Sequence, residues 1–196
     1  MSHPNINIEK HPWDPFIPND AKILILGTFP PKSNRWSMEF YYPNYINDFW
    51  RIMGLNFYNN KNYFLYDMSR QFNLEKIKHF LHKNGIALGD SALEVKRLKD
   101  NASDKYLEII TPLPLSNTLE DLPKCQAIVS TGEKAAQIIA QLTDTPIPNM
   151  GSYIKTSIHE KEIKIFRMPS TSRAYPLSIE KKAEFYKNMF YNIGIL

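Results

Sequence analysis

Only one cysteine, Cys125, stands among the 196 residues. No intramolecular disulfide is available, and no iron–sulfur or zinc site can be built from thiolates. Long apolar runs are missing as well: none nears the ~20 residues needed to span a bilayer. The opening Met1-Ser2-His3-Pro4-Asn5-Ile6-Asn7 lacks the basic and apolar regions of a signal peptide. Neither Gly-rich phosphate-loop pattern occurs, and no Ser-His-Asp or Cys-His set stands out. His79 and His82 lie three apart with no third ligand beside them, so they read as a solvated helix face. These absences lead to the expectation of a cytoplasmic protein with no metal, no organic cofactor and no membrane contact.

What is present describes an ordinary globular chain, 43% hydrophobic and 22% charged, of single-domain length with enough residues for a sizeable core. Residues 1–196 are read as one domain in which 1–20 form an extended arm. The net charge is +4 and the isoelectric point about 9.0; both suit a polyanionic partner without requiring one. Aromatic residues make up 13% of the chain, and aromatics beside basic side chains supply stacking together with backbone attraction.

Pro4, Pro12, Pro15 and Pro18 keep the first twenty residues out of a helix, and Trp13, Phe16 and Ile17 are expected to tack this arm onto the body. Aliphatic runs at Ile23–Leu26, Ile86–Leu88 and Ala127–Val129 are bounded by turn residues and read as inner strands. Helical spacing covers Asp48–Met53, with Gly54 as its stop, then Asn73–Lys83, a segment opened by Gly132 and running through Leu142, and Ile179–Ile193 with Ser178 as N-cap. Tyr153–Ile158 and Glu162–Met168 alternate as two strands of a hairpin. The stretch from Leu98 to Asn117 is harder to read, with room for one short helix or strand. Lys96-Arg97 and Lys181-Lys182 read as solvated helix faces. Strands alternating with helices predict a three-layer α/β/α sandwich around a mainly parallel sheet of about four strands.

Two loops carry candidate chemistry. The first leaves a strand as Gly27-Thr28-Phe29-Pro30-Pro31, contains Ser33, and continues to Phe40-Tyr41-Tyr42-Pro43-Asn44-Tyr45-Ile46-Asn47. Ligands of open α/β sheets gather at loops leaving the carboxyl ends of strands, and here tyrosines offer flat faces while asparagine offers an orienting amide. The second is Met168-Pro169-Ser170-Thr171-Ser172-Arg173-Ala174-Tyr175-Pro176, whose hydroxyls precede a helix and can hold phosphate or serve only as turn and cap residues. Asp90 ends a strand and either binds a ligand or caps the next turn. His11, beside Asp14 in the arm, is expected to pack rather than to touch a ligand.

In order along the chain, Leu26-Gly27-Thr28-Phe29-Pro30 with Ser33, Tyr41-Tyr42 with Asn47-Asp48-Phe49-Trp50, Gly85-Ile86-Ala87-Leu88-Gly89-Asp90, Thr131-Gly132 with Ala135, and Met168-Pro169-Ser170-Thr171-Ser172 resemble the uracil-DNA glycosylase superfamily. The likeness is to its hypoxanthine-DNA glycosylase branch and runs from His11 to about Phe190. Phe29 stands where mismatch-specific members carry an asparagine, and Met168 where uracil-specific members carry a catalytic histidine; the hypoxanthine branch shares both departures. Arg173-Ala174-Tyr175 differs from that branch's Pro-Ala-Asn.

The resemblance implies a monomeric, monofunctional glycosylase acting on damaged DNA. Asn47 would be catalytic. Thr28, Phe29, Tyr42 and Asp90 would meet the base, and Ser33, Ser170, Thr171, Ser172, Arg173 and Tyr175 the DNA. Two other classes stay open: a lesion-binding protein without turnover, and an α/β enzyme acting on free nucleosides or nucleotides.

Overall fold

The computed structural model of the protein describes residues 7–99 and 103–196; the first six residues of the arm lie outside this description. The central sheet is built from β2 (Ile23–Gly27), β3 (Ile86–Asp90), β6 (Ala127–Thr131), β7 (Ser152–Ile158) and β8 (Lys161–Met168). Their spatial order is β3-β2-β6-β8-β7, with β7 as the antiparallel member. The sheet therefore has five strands rather than four, because the β7–β8 hairpin adds its outer strand to the edge.

Period-two alternation places successive residues of each strand on opposite faces. Ile23, Ile25, Ile86, Leu88, Val129 and Phe166 join one core with α1 (Phe49–Tyr58), α2 (Leu74–Asn84) and α5 (Ile179–Ile193). Leu24, Leu26, Ala87, Ile128 and Ile165 join the other with α3 (Leu115–Glu120) and α4 (Glu133–Thr143). This is the expected three-layer arrangement. Every residue of β2, β3 and β6 is buried, as strands covered on both faces must be.

Three details differ from the sequence reading. Gly54 does not stop α1, which runs on to Tyr58. The backbone carbonyl of Asn60 folds back so closely over Gly54 that a methyl group there would overlap it, and the Asn60 amide donates to the Gly54 carbonyl at 3.1 Å. The glycine marks a crossing of the chain instead of a helix end. The second difference is a small antiparallel sheet, in the order β1-β4-β5, formed by β1 (Ile8–Lys10), β4 (Ala92–Arg97) and β5 (Leu107–Pro112). Lys96 and Arg97 are thus strand residues, and Arg97 donates to the Glu9 carboxylate at 2.9 and 3.0 Å. Third, Lys182 is not solvated at all: it is wholly buried.

The arm is pinned along its described length. Phe16 exchanges both backbone hydrogen bonds with Leu88, at 2.8 and 3.0 Å, and the His11 amide donates to the Leu93 carbonyl at 2.7 Å. It thereby covers the free edge of β3, an edge that would otherwise offer unpaired backbone groups.

Candidate active site

Parallel register brings the carboxyl ends of the inner strands level. Gly27 pairs with Asp90, and Thr131 with Met168. The two loops singled out in the sequence leave this one edge. Tyr42 reaches over it, and its hydroxyl lies 2.9 Å from the Thr131 hydroxyl. The Asp90 carboxylate and the Tyr42 hydroxyl converge above Gly27, where a methyl group would collide with Asp90. Gly132, one residue beyond Thr131, faces Ser170. Thr28, Tyr42, Asp90, Thr131 and Ser170 therefore belong to a single neighbourhood assembled from four strand ends.

Tyr42 is held unusually. Its φ is 54°, a left-handed backbone conformation that costs an aromatic residue energy and persists only where the surroundings enforce it. The ring stacks on Phe49 at 3.8 Å between centroids and 9° between planes. One face of the ring is thus occupied. Asn47 follows in the same loop and is partly exposed; its Oδ1 accepts the Phe49 N–H at 2.9 Å. That bond satisfies the first amide of α1 from the residue before its N-cap, Asp48, and it also fixes the amide while leaving the second Oδ1 lone pair and the Nδ2 donors.

A buried ionic brace ties the two loops together. The Asp48 amide donates to the Thr171 carbonyl at 2.8 Å. Lys182 Nζ, from α5, donates to Asp48 Oδ2 at 2.9 Å and to the Ser172 carbonyl at 2.7 Å. Arg173 Nε donates to Asp48 Oδ1 at 3.1 Å. Thr171 is buried inside this arrangement, whereas Ser172 and Arg173 face solvent. Burying a charge is costly unless it is paired and hydrogen-bonded, and here each carboxylate oxygen has its own cation.

The rest of the edge is acidic. Burial pushes Asp90 above the usual carboxylate range, opposed by hydrogen bonding and charge from His11. Asp104, from the turn before β5, is pushed from 3.8 to about 6, first by burial and further by Asp90, while Thr28, Arg97 and Lys134 pull it down. Tyr42 is raised well above 10, first by burial and then by Asp90, so its hydroxyl stays protonated. Above about pH 6 the Asp104 carboxylate is an acceptor on an edge that also carries the Tyr42 hydroxyl.

Phe29 packs on Ala92, Val95 and Leu107 and meets the His11 ring edge-on at 5.4 Å. Ser33 is exposed and, with Glu9, Lys10, Phe29, Pro31 and Trp36, lines a cavity of about 420 Å³. The Tyr175 hydroxyl reaches Met150 Sδ at 3.0 Å. A second cavity, of about 200 Å³, lies at the opposite, amino-terminal end of the strands beside Cys125 and Ile163. No group of three or more His, Cys, Asp or Glu among the described residues is placed to hold a metal ion, and no described helix is long and apolar enough to cross a membrane.

Sequence reasoning missed four participants: His11, Asp104, Thr131 and Lys182. For Lys182 a signal existed, because it falls three after Ile179 and four before Tyr186, on the apolar stripe of α5. Asp104 sits in the segment whose pattern is too irregular to read.

No family model and no curated protein matches the chain. Among solved structures it is similar to a protein of Methanosarcina acetivorans whose solution NMR structure is described as that of a "putative Uracil DNA glycosylase". The two are 22% identical, the match covers 96% of this chain and 99% of the other, and the TM-score is 0.64. The α/β/α sandwich of this chain, with its five-stranded and mostly parallel sheet, is therefore a uracil-DNA glycosylase-like fold.

Proposed function

We propose that the protein is a DNA glycosylase: it hydrolyses the N-glycosidic bond of an extruded, deaminated base and leaves an abasic site. Hypoxanthine is the first substrate and uracil the second. The observation that carries this reading is the Asp48–Thr171 link with its Lys182 brace, which locks the aromatic loop and the hydroxyl loop into one edge of a glycosylase-like sheet.

A glycosylase must take its target base out of the stack. The face of Tyr42 opposite Phe49 receives the base, Thr28 and Asp90 with the backbone near Phe29 meet its edge, and Ser33, Ser170 and Ser172 position flanking phosphates, which carry no sequence information, while the buried Thr171 holds the loop in place through its carbonyl. Arg173 and Tyr175 brace the gap left in the duplex. Cleavage passes through an oxocarbenium-like state, as in glycoside hydrolysis. Such a cation needs an oriented water more than a strong base, and an amide held as Asn47 is held can supply the orientation. No lysine is placed by motif to form a Schiff base, so the reaction stops at the abasic site with no cofactor, and a single-domain monomer suffices.

The test is alkali cleavage of duplex oligonucleotides carrying deoxyinosine, uracil, xanthine or a thymine mismatch after incubation with the protein. Strand breaks at deoxyinosine first and uracil second are expected. Tight binding to these duplexes with no breaks would mean a lesion-binding protein.

A further inference from the structure

We infer that His11 is a positioning residue for base recognition: it holds the Asp90 carboxylate as a fixed acceptor, so that the pocket takes bases whose ring nitrogen bears the N–H that deamination creates. This rests on the glycosylase reading and names the chemical class its pocket selects.

The geometry around the imidazole is specific. His11 Nε2 lies 2.8 Å from Asp90 Oδ2, and both side chains are almost wholly buried, at 3% and 9% exposure. On the other side, Nδ1 lies 2.7 Å from the Trp13 carbonyl oxygen and 3.2 Å from the Trp13 amide nitrogen. The Trp13 N–H donates to Nδ1, which makes Nδ1 an acceptor. The ring hydrogen is then on Nε2, which donates to Asp90 Oδ2. The ring itself is clamped by Tyr41, stacked at 5.7 Å, and by the edges of Trp13 and Phe29. The pairing of β1 with β4 and the His11–Leu93 backbone bond set its height at the sheet edge.

Two consequences follow for Asp90. One oxygen is tied to His11, which leaves Oδ1 directed over Gly27 beside the Tyr42 hydroxyl. An ionised carboxylate accepts hydrogen bonds and donates none. The titratable groups acting on Asp90 and its neighbours are Tyr41, Tyr42 and Asp104, with Asp14 acting on Tyr41 and with Arg97 and Lys134 acting on Asp104. Burial works to neutralise Asp90, and His11 opposes it. Without His11 the carboxyl would lose the hydrogen bond that fixes its orientation and that works against the effect of burial.

Deamination changes the base edge in the complementary sense. Adenine N1 and cytosine N3 carry lone pairs; hypoxanthine N1 and uracil N3 carry hydrogen. A fixed carboxylate oxygen attracts the second pair and repels the first. A site built around one buried hydrogen bond rejects an analogue that leaves its group unpaired.

The experiment compares single-turnover release from duplex deoxyinosine and duplex deoxynebularine, which keeps the purine but has a lone pair on N1. The proteins are wild type, His11→Ala and His11→Gln, with melting temperature recorded for each. In wild type, hypoxanthine release should exceed purine release by about 10²-fold, the worth of a charge-assisted hydrogen bond. His11→Ala should lose most of that ratio, and His11→Gln, whose amide can donate to the same carboxylate oxygen, should restore it. Equal losses on both substrates, or an unchanged ratio in folded His11→Ala, would overturn the positioning role while leaving the glycosylase reading intact. Wild-type protein that releases no base from any lesion duplex would remove both.

Discussion

At the residue scale, the site combines side chains that the fold holds at an energetic cost. Tyr42 in a left-handed conformation and three carboxylates at one sheet edge are not what stability alone would select, and strain of this kind clusters at functional sites. Asp104 gives the cost a measurable sign. Its folded pKa of about 6 lies above the unfolded value of 3.8, so between those limits the native state binds more protons than the unfolded chain. Stability from this group is present below pH ~4 and is lost as pH rises to about 6. Asp104→Asn, which cannot ionise, should raise stability above pH 6 by about 1–3 kcal/mol and flatten that part of the profile. Urea unfolding at pH 4.5 and pH 7.5 checks it; an equal change at both values would mean that the carboxyl is not neutralised by burial.

At the element scale, α5 acts as a strut as well as a cover. Lys182 reaches from its buried face to Asp48 and to the Ser172 carbonyl. Removing one partner of a buried pair typically costs 3–5 kcal/mol, roughly, because the other charge is left behind. For Lys182→Met the lower end, about 3 kcal/mol, is expected, since Arg173 still meets Asp48. Denaturant unfolding gives the size, and faster exchange of the Asp48 amide would show the hydroxyl loop loosening from α1. A change below 1 kcal/mol would mean that the brace is incidental.

The same elements show what was legible in the chain. Inner strands declared themselves because burial on both faces demands unbroken aliphatic runs. α2, α4 and α5 did so through apolar spacing and their caps; Asn73 and Ser178 do accept from the third residue onward. The small sheet stayed hidden because β4 and β5 interleave charged residues with the few that face inward. α1 was cut short because a glycine needed for a chain crossing looks locally like a stop. Neighbourhood was the least legible feature. That Asp90 and Tyr42 meet above Gly27 depends on register, while the His11–Asp90 contact spans 79 positions and left no periodic trace.

At the scale of the whole molecule, a net charge of +4 is modest, so under the proposed function attraction to DNA would rest on local arrangement rather than overall field. If DNA is the substrate, binding should weaken linearly in log–log terms with salt, by about one unit of slope per phosphate neutralised. Fluorescence anisotropy with a lesion duplex from 50 to 200 mM salt, roughly the range over which such contacts are felt, would show it. An enzyme acting on free nucleosides would show a flat response. Arg173→Ala should lower the slope by about one and, being a half-exposed pair, cost no more than about 1 kcal/mol of stability.

The account turns on whether Asn47 does chemistry or only caps α1, so the decisive measurement is single-turnover base release from duplex deoxyinosine by wild type and Asn47→Ala, with melting temperature alongside. Losing a cap costs ~1 kcal/mol of stability, whereas losing a group that acts in the transition state costs ~10²-fold or more in rate. The account predicts release by wild type and a drop of at least about 100-fold in a variant that remains folded at the assay temperature. Wild-type rates in Asn47→Ala, with only the melting temperature lowered, would contradict it.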